Sequence, residues 1–278
     1  MRRQSRYAGS LARFLSSAAV AAILAAGLGG CQTMSDVTGS LASSSPKAQA
    51  VPDDPRRAVE VYGERYRANP KDAEAALGYG QALRATGQRA QATAVLEQAT
   101  IAHSGNKVLL AAYGRALADN GNSQAAFDVL SRAHTPANPD WRILSVQGTT
   151  LDKMGKHEEA RRYYATALNI VPEEPSVLSN LGLSYMLTRE LPLAEETLRR
   201  AYSNPRADAR VRQNLALVVG LQGRFPEAET IAKGDLPADE ATANVAYLRE
   251  MLSRKDKDHS RPPGNKPTVP VAALNRPD

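Results

Sequence analysis

Residues able to do chemistry are few in this sequence and poorly grouped. The four histidines, His103, His134, His157 and His259, are scattered, and no two share the i, i+4 spacing that lets one helix face grip a metal. There is no Gly-x-Ser-x-Gly nucleophile turn, no Gly-x-x-x-x-Gly-Lys-Ser/Thr phosphate loop and no Gly-x-Gly-x-x-Gly dinucleotide loop. The neighbouring carboxylates Glu158-Glu159, Glu173-Glu174 and Glu195-Glu196 fall on helix surfaces or helix starts, where solvation explains them better than acid–base work. Cys31 is the single cysteine, so neither an intrachain disulfide nor a Cys-type metal site can be built. No enzyme and no cofactor are expected. One pair does suit recognition: Asn180 and Asn214 stand 34 residues apart. An asparagine amide both donates and accepts, so two at a fixed spacing could hold an extended peptide backbone.

A spacing of 34 recurs throughout the chain. From Ala160 it reaches Ala58, Ala92, Ala126, Ala194 and Ala228 without a break. From Gly148 it reaches Gly80, Gly114, Gly182 and Ala216, and from Gly155 it reaches Gly87, Gly121, Arg189 and Gly223. Ala99, Ala133, Ala167 and Ala201 form a further series. Small residues held at one period belong where paired amphipathic helices cross closely. With Trp141 as position 1, the stretch 141–172 places Leu144, Gly148 and Leu151, then Ala160, Tyr164 and Ala167, then Pro172. This resembles the tetratricopeptide (TPR) repeat, whose pattern runs Leu-Gly-x-x-Tyr, then Ala-x-x-x-Phe, then Pro.

The resemblance implies an all-α fold, a right-handed α-solenoid of helix pairs. A lone helix over 55–68 opens it, five repeats start near Ala73, Lys107, Trp141, Pro175 and Ala209, and a helix over 239–254 caps the end. It also implies a binding face lined by the first helix of each repeat, at positions 2, 5, 6, 9, 12 and 13. Those positions hold Arg142 and Arg210, Gln213, Asn180 and Asn214, Leu183 and Leu217, and Met186. An apolar floor with an amide and guanidinium rim suits a peptide. The competing reading has the leucines packing between repeats and the asparagines facing water.

The flanks read differently. Arg2, Arg3, Arg6 and Arg13 precede an 11-residue apolar run, Ala18–Leu28, the length of an export-signal core and short of the about 20 residues a membrane span needs. It closes on Leu28-Gly29-Gly30-Cys31, which resembles the lipobox of bacterial lipoproteins. That resemblance implies cleavage before Cys31, diacylglycerol on its sulfur and attachment to a membrane; an ordinary cleaved signal and a retained anchor are the alternatives. Gln32, where an aspartate often directs inner-membrane retention in that family, implies the outer membrane, on its periplasmic face. The expected organisation is therefore a signal peptide over 1–30, a flexible tether over 31–52, the repeat body over 53–254 and a disordered proline-rich tail over 255–278. The net charge of +6 falls to +2 without the four leader arginines, so the body has no electrostatic footprint for nucleic acid.

Ser179–Tyr185, Glu190–Leu198 and Val211–Ala228 are similar to the TadD-type TPR lipoproteins of the tight-adherence (Flp) pilus machinery. That likeness implies a periplasmic factor assisting the outer-membrane secretin or other pilus assembly components. A TPR lipoprotein adaptor or pilotin of another envelope system, such as a type IV pilus, secretion or peptidoglycan-enzyme scaffold, is the alternative.

Overall fold

The computed structural model describes residues 54–259, with side chains through residue 254. Twelve helices follow one another: α1 (Pro55–Ala68), α2 (Ala73–Ala85), α3 (Arg89–Ala102), α4 (Lys107–Asp119), α5 (Ser123–Ala133), α6 (Trp141–Lys153), α7 (His157–Ile170), α8 (Pro175–Leu187), α9 (Leu191–Ser203), α10 (Ala209–Leu221), α11 (Phe225–Ala232) and α12 (Ala238–His259). Among the described residues there is no strand, only an isolated bridge between Thr135 and Asn138 in the α5–α6 turn. None of these helices is long and apolar enough to cross a membrane. The expected signal segment, the lipobox Leu28, Gly29 and Gly30 with Cys31, the tether and the tail from residue 260 lie outside the described residues. Residues 255–259, expected in the tail, continue α12.

The five first helices begin at Ala73, Lys107, Trp141, Pro175 and Ala209, where the period places them, and α1 is the lone second helix. The reason is legible in the contacts. Ala92, Ala126, Ala160, Ala194 and Ala228 are all fully buried, each on the second helix of its pair. The glycines opposite leave room for one large side chain. A Cβ on Gly80, Gly114 or Gly182 would come within 2.6 Å of Leu96, Leu130 or Leu198, and one on Gly148 would enter the Tyr164 ring. In the last pair both partners are small, and Ala216 packs with Ala232 instead. Each pair thus fills its crossing either with a glycine and a large residue or with two alanines, so two large side chains never meet there.

Each pair turns through a residue with positive φ. Gly87, Gly121, Gly155 and Gly223 take φ between 76° and 86°, a region open to a residue without Cβ. Arg189 occupies the same place at 64°. Side chains cap most first helices: Asp72, Asn106, Asp140 and Asp208 accept backbone N–H groups at 2.8–3.2 Å. Helix α8 instead starts on Pro175.

Consecutive first helices touch: α2 packs on α4, α4 on α6, α6 on α8, α8 on α10 and α10 on α12. The second helices make no comparable contact with one another. The first helices therefore form the tighter, inner layer of the stack, and their outward residues share one face.

Candidate functional site

That inner face is the candidate site, and its residues come from known positions on α2, α4, α6, α8 and α10. The two asparagines are already engaged. Asn180 donates through Nδ2 to Ser145 Oγ at 3.0 Å, and Asn214 to Ser179 Oγ at 2.9 Å. Each bond joins one repeat to the one before it, and both serines are buried. The asparagines act first as a ladder between repeats, leaving each Oδ1 as the arm that can meet a ligand.

The apolar residues divide by depth. Leu217 is buried, while Leu183 and Met186 are half-buried, with Met186 packed against the core beneath α10. Leu187, at the next position on α8, is half-exposed and was not among the expected residues. Arg142 is exposed and lies over the ring of its neighbour Trp141, 4.4 Å from the centroid. Arg210 is exposed and reaches Asp208 at 3.8 Å, a loose pair; Gln213 is half-buried. Leu183, Met186, Asn180 and Gln213, Asn214, Leu217 thus lie on adjacent packed helices, whereas Arg142 and Arg210 sit at helix starts near the edge.

A polar node where α6, α7 and α8 meet has the residue types of a hydrolase but the wrong order. Asp152 accepts from His157 Nδ1 at 2.8 Å, from Tyr164 Oη at 2.8 Å and from Ser184 Oγ at 2.7 Å. A nucleophilic serine needs the imidazole as its base. Here the buried Ser184 hydroxyl donates to the carboxylate, on the same Oδ1 that the imidazole bonds, and not to the imidazole itself. The node is structural. Tyr164 fills the slot that Leu96, Leu130 and Leu198 fill elsewhere, so its hydroxyl enters the core and needs an acceptor. Burial, then the Asp152 charge, pushes the Tyr164 phenol well above its ordinary range. Among the described residues no group of histidines and carboxylates could hold a metal ion.

Sequence reasoning passed over Arg84 and Arg115, which lie on the same face at positions 12 and 9 of the first two repeats. Their positions were a usable signal, since Met186 and Leu183 occupy the same two places in the fourth repeat.

The tetratricopeptide-repeat family model matches residues 53–107 and 146–210. The described body has the tetratricopeptide-repeat fold. The TPR body superposes on TTC0263, a thermophilic TPR protein of Thermus thermophilus, at a TM-score of 0.57 and 21% identity, over 63% of this chain and 98% of that one. It also matches a chain of the APC/C hetero-tetramer Cut9–Hcn1 at 0.55 and 18% identity, over 69% of this chain and 39% of that one. MamA is similar at 23% identity and a TM-score of 0.45, over 54% of this chain and 87% of MamA. At these identities the likeness is one of fold. No curated protein sequence matches the chain.

Proposed function

We propose that this TPR protein is a lipid-anchored periplasmic adaptor that captures a protein partner on its inner face during assembly of the tight-adherence pilus and its outer-membrane secretin. It works by binding, without a catalytic step. The observation that carries this reading is the half-exposed Leu187 beside half-buried Leu183 and Met186, an apolar strip on α8 flanked by the asparagine ladder. Such a strip, edged by polar groups with spare acceptors, fits an extended peptide better than a small polar metabolite. The anchor rests on Leu28–Cys31, and the pilus assignment on the TadD-like stretches over 179–185, 190–198 and 211–228.

Solubilising a tagged full chain in detergent and identifying its co-purifying proteins by mass spectrometry tests the reading. Secretin or tight-adherence components should appear, and Leu187→Glu should remove them. Recovery of those partners unchanged with Leu187→Glu argues against the inner face, and their absence from the wild type argues against the pilus role. Cys31→Ser should leave the protein unlabelled by a radioactive fatty acid and release it from membranes.

A further inference from the structure

We propose that the inner face of α2, α4 and α6 seats a carboxylate of an extended, acidic partner segment on Arg115. The proposal rests on the adaptor reading for its premise that a partner lies on this face. It adds the charge of that partner and the place where the charge lands.

Arg115 is half-buried in the middle of α4, yet it forms no ion pair or side-chain hydrogen bond with any described residue. The charged groups around it are Asp140, Arg84, Arg142 and Asp119. Both acids are committed elsewhere. Asp119 accepts from Arg84 at 2.7 Å, and Asp140 caps α6 by accepting the Arg142 backbone N–H at 2.8 Å. Three guanidinium groups therefore stand against two carboxylates, one net positive charge on this ledge, and Arg115 is salt-bridged to neither acid. Burial lowers its proton affinity, while Asp140 opposes that loss and Arg84 and Arg142 add to it. A half-desolvated cation of this kind gains from an incoming anion. The flat guanidinium fork suits a carboxylate, which it can meet through two parallel N–H···O bonds.

The distance to the apolar strip sets the shape of the occupant. Packed helices lie about 8–10 Å apart, so the strip on α8, two inner helices from α4, is about 16–20 Å from Arg115. An extended chain advances about 3.3 Å per residue. The segment that satisfies both regions has an aspartate or glutamate about five or six residues from an apolar side chain on Leu183, Met186 and Leu187. A second apolar residue about three positions further on reaches Leu221, half-buried on α10.

A random dodecapeptide display library selected in parallel on the full chain in detergent and on its Arg115→Gln variant tests this. Peptides from the wild type should be enriched in an acid at that spacing from an apolar residue. Selection on Arg115→Gln should keep the apolar preference and lose the acidic one. The best acidic peptide, labelled and followed by fluorescence anisotropy, should bind the variant about tenfold more weakly, the loss of one charge-assisted pair. Arg115→Lys, which keeps the charge without the fork, should recover part of the affinity and decides the matter if Arg115→Gln melts early. Acid-free winners, no winners, or equal acidic enrichment on both proteins would overturn the proposal. So would Arg115-dependent binding of phosphatidylglycerol micelles in place of any acidic preference. A natural partner captured equally by wild type and Arg115→Gln removes this inference and leaves the adaptor reading standing.

Discussion

Arg189 stands at φ 64° where the other four pairs place glycine, and it is exposed, with no ion pair among the described residues to offset the strain. A left-handed backbone costs a residue with a Cβ about 1–2 kcal/mol, part of which glycine returns through its greater freedom when unfolded. Arg189→Gly should therefore stabilise the protein by about 0.5–1 kcal/mol, read from the urea midpoint; a loss of stability would show that the arginine has a partner in solution. Tyr164 makes the opposite case. Tyr164→Phe keeps the ring against Gly148 but takes one of three donors from the Asp152 carboxylate, and should cost about 1–2 kcal/mol. The glycine slots were legible because their spacing is a property of the sequence. The Asp152 node was not, since Asp152, His157, Tyr164 and Ser184 become neighbours only once α6, α7 and α8 are packed.

At the scale of the helix pair, two devices fix which helix meets which. One is that two large side chains never meet at a crossing. Gly114→Ala should cost about 1–3 kcal/mol by driving a Cβ into Leu130, and Leu130→Ala about 2–5 kcal/mol by opening a cavity. Together they recreate the Ala216–Ala232 arrangement, so the double variant should lose clearly less than the sum. Additive losses would mean the two residues do not share a crossing. The other device is charge. Arg161 of α7 pairs with Glu190 at 2.7 Å, whereas one repeat later Glu195 of α9 pairs with Arg224 in the same relative places. The signs are inverted, so sliding the stack by one repeat would bring like charges together. Hydrogen bonds from Arg224, Gln222 and Arg199 overcome burial and hold the Glu195 carboxyl down at about 2, against an ordinary value of 4.5. A folded-state value below the unfolded one contributes stability that is present above about 4.5 and lost as the pH falls towards 2. Glu195→Gln should therefore lower the melting temperature at neutral pH, and its deficit should shrink across that window. Exchanging the signs with Glu195→Arg and Arg224→Glu should restore what either change alone removes. Helix starts and the period foretold the pairs. The inverted charges were invisible, because nothing in one sequence says that position 21 of one repeat faces position 16 of the next.

Across the whole stack each pair touches only its neighbours, so stability is a sum of local terms with weak points at the ends. The far end is the thinner one: α11 has 8 residues where α3, α7 and α9 have 13 or 14. Its turn is held by Arg212, which reaches Asp235 through both arms of its fork. Helix α12 then closes the array, in the place expected for the capping helix over 239–254. Ala241 and Val245 are buried, and Leu248 lies where a Cβ on Gly220 would come within 2.6 Å of it. The inner-face ledge at Arg115 lies three inner helices away from this cap on α10. Leu248→Ala should therefore cost about 2–3 kcal/mol locally, and amide hydrogen exchange should quicken in α10, α11 and α12 while α2 to α5 keep their wild-type protection. Uniform loss of protection from α1 to α12 would mean that the repeats unfold as one unit, and a binding face at one end would then feel damage at the other.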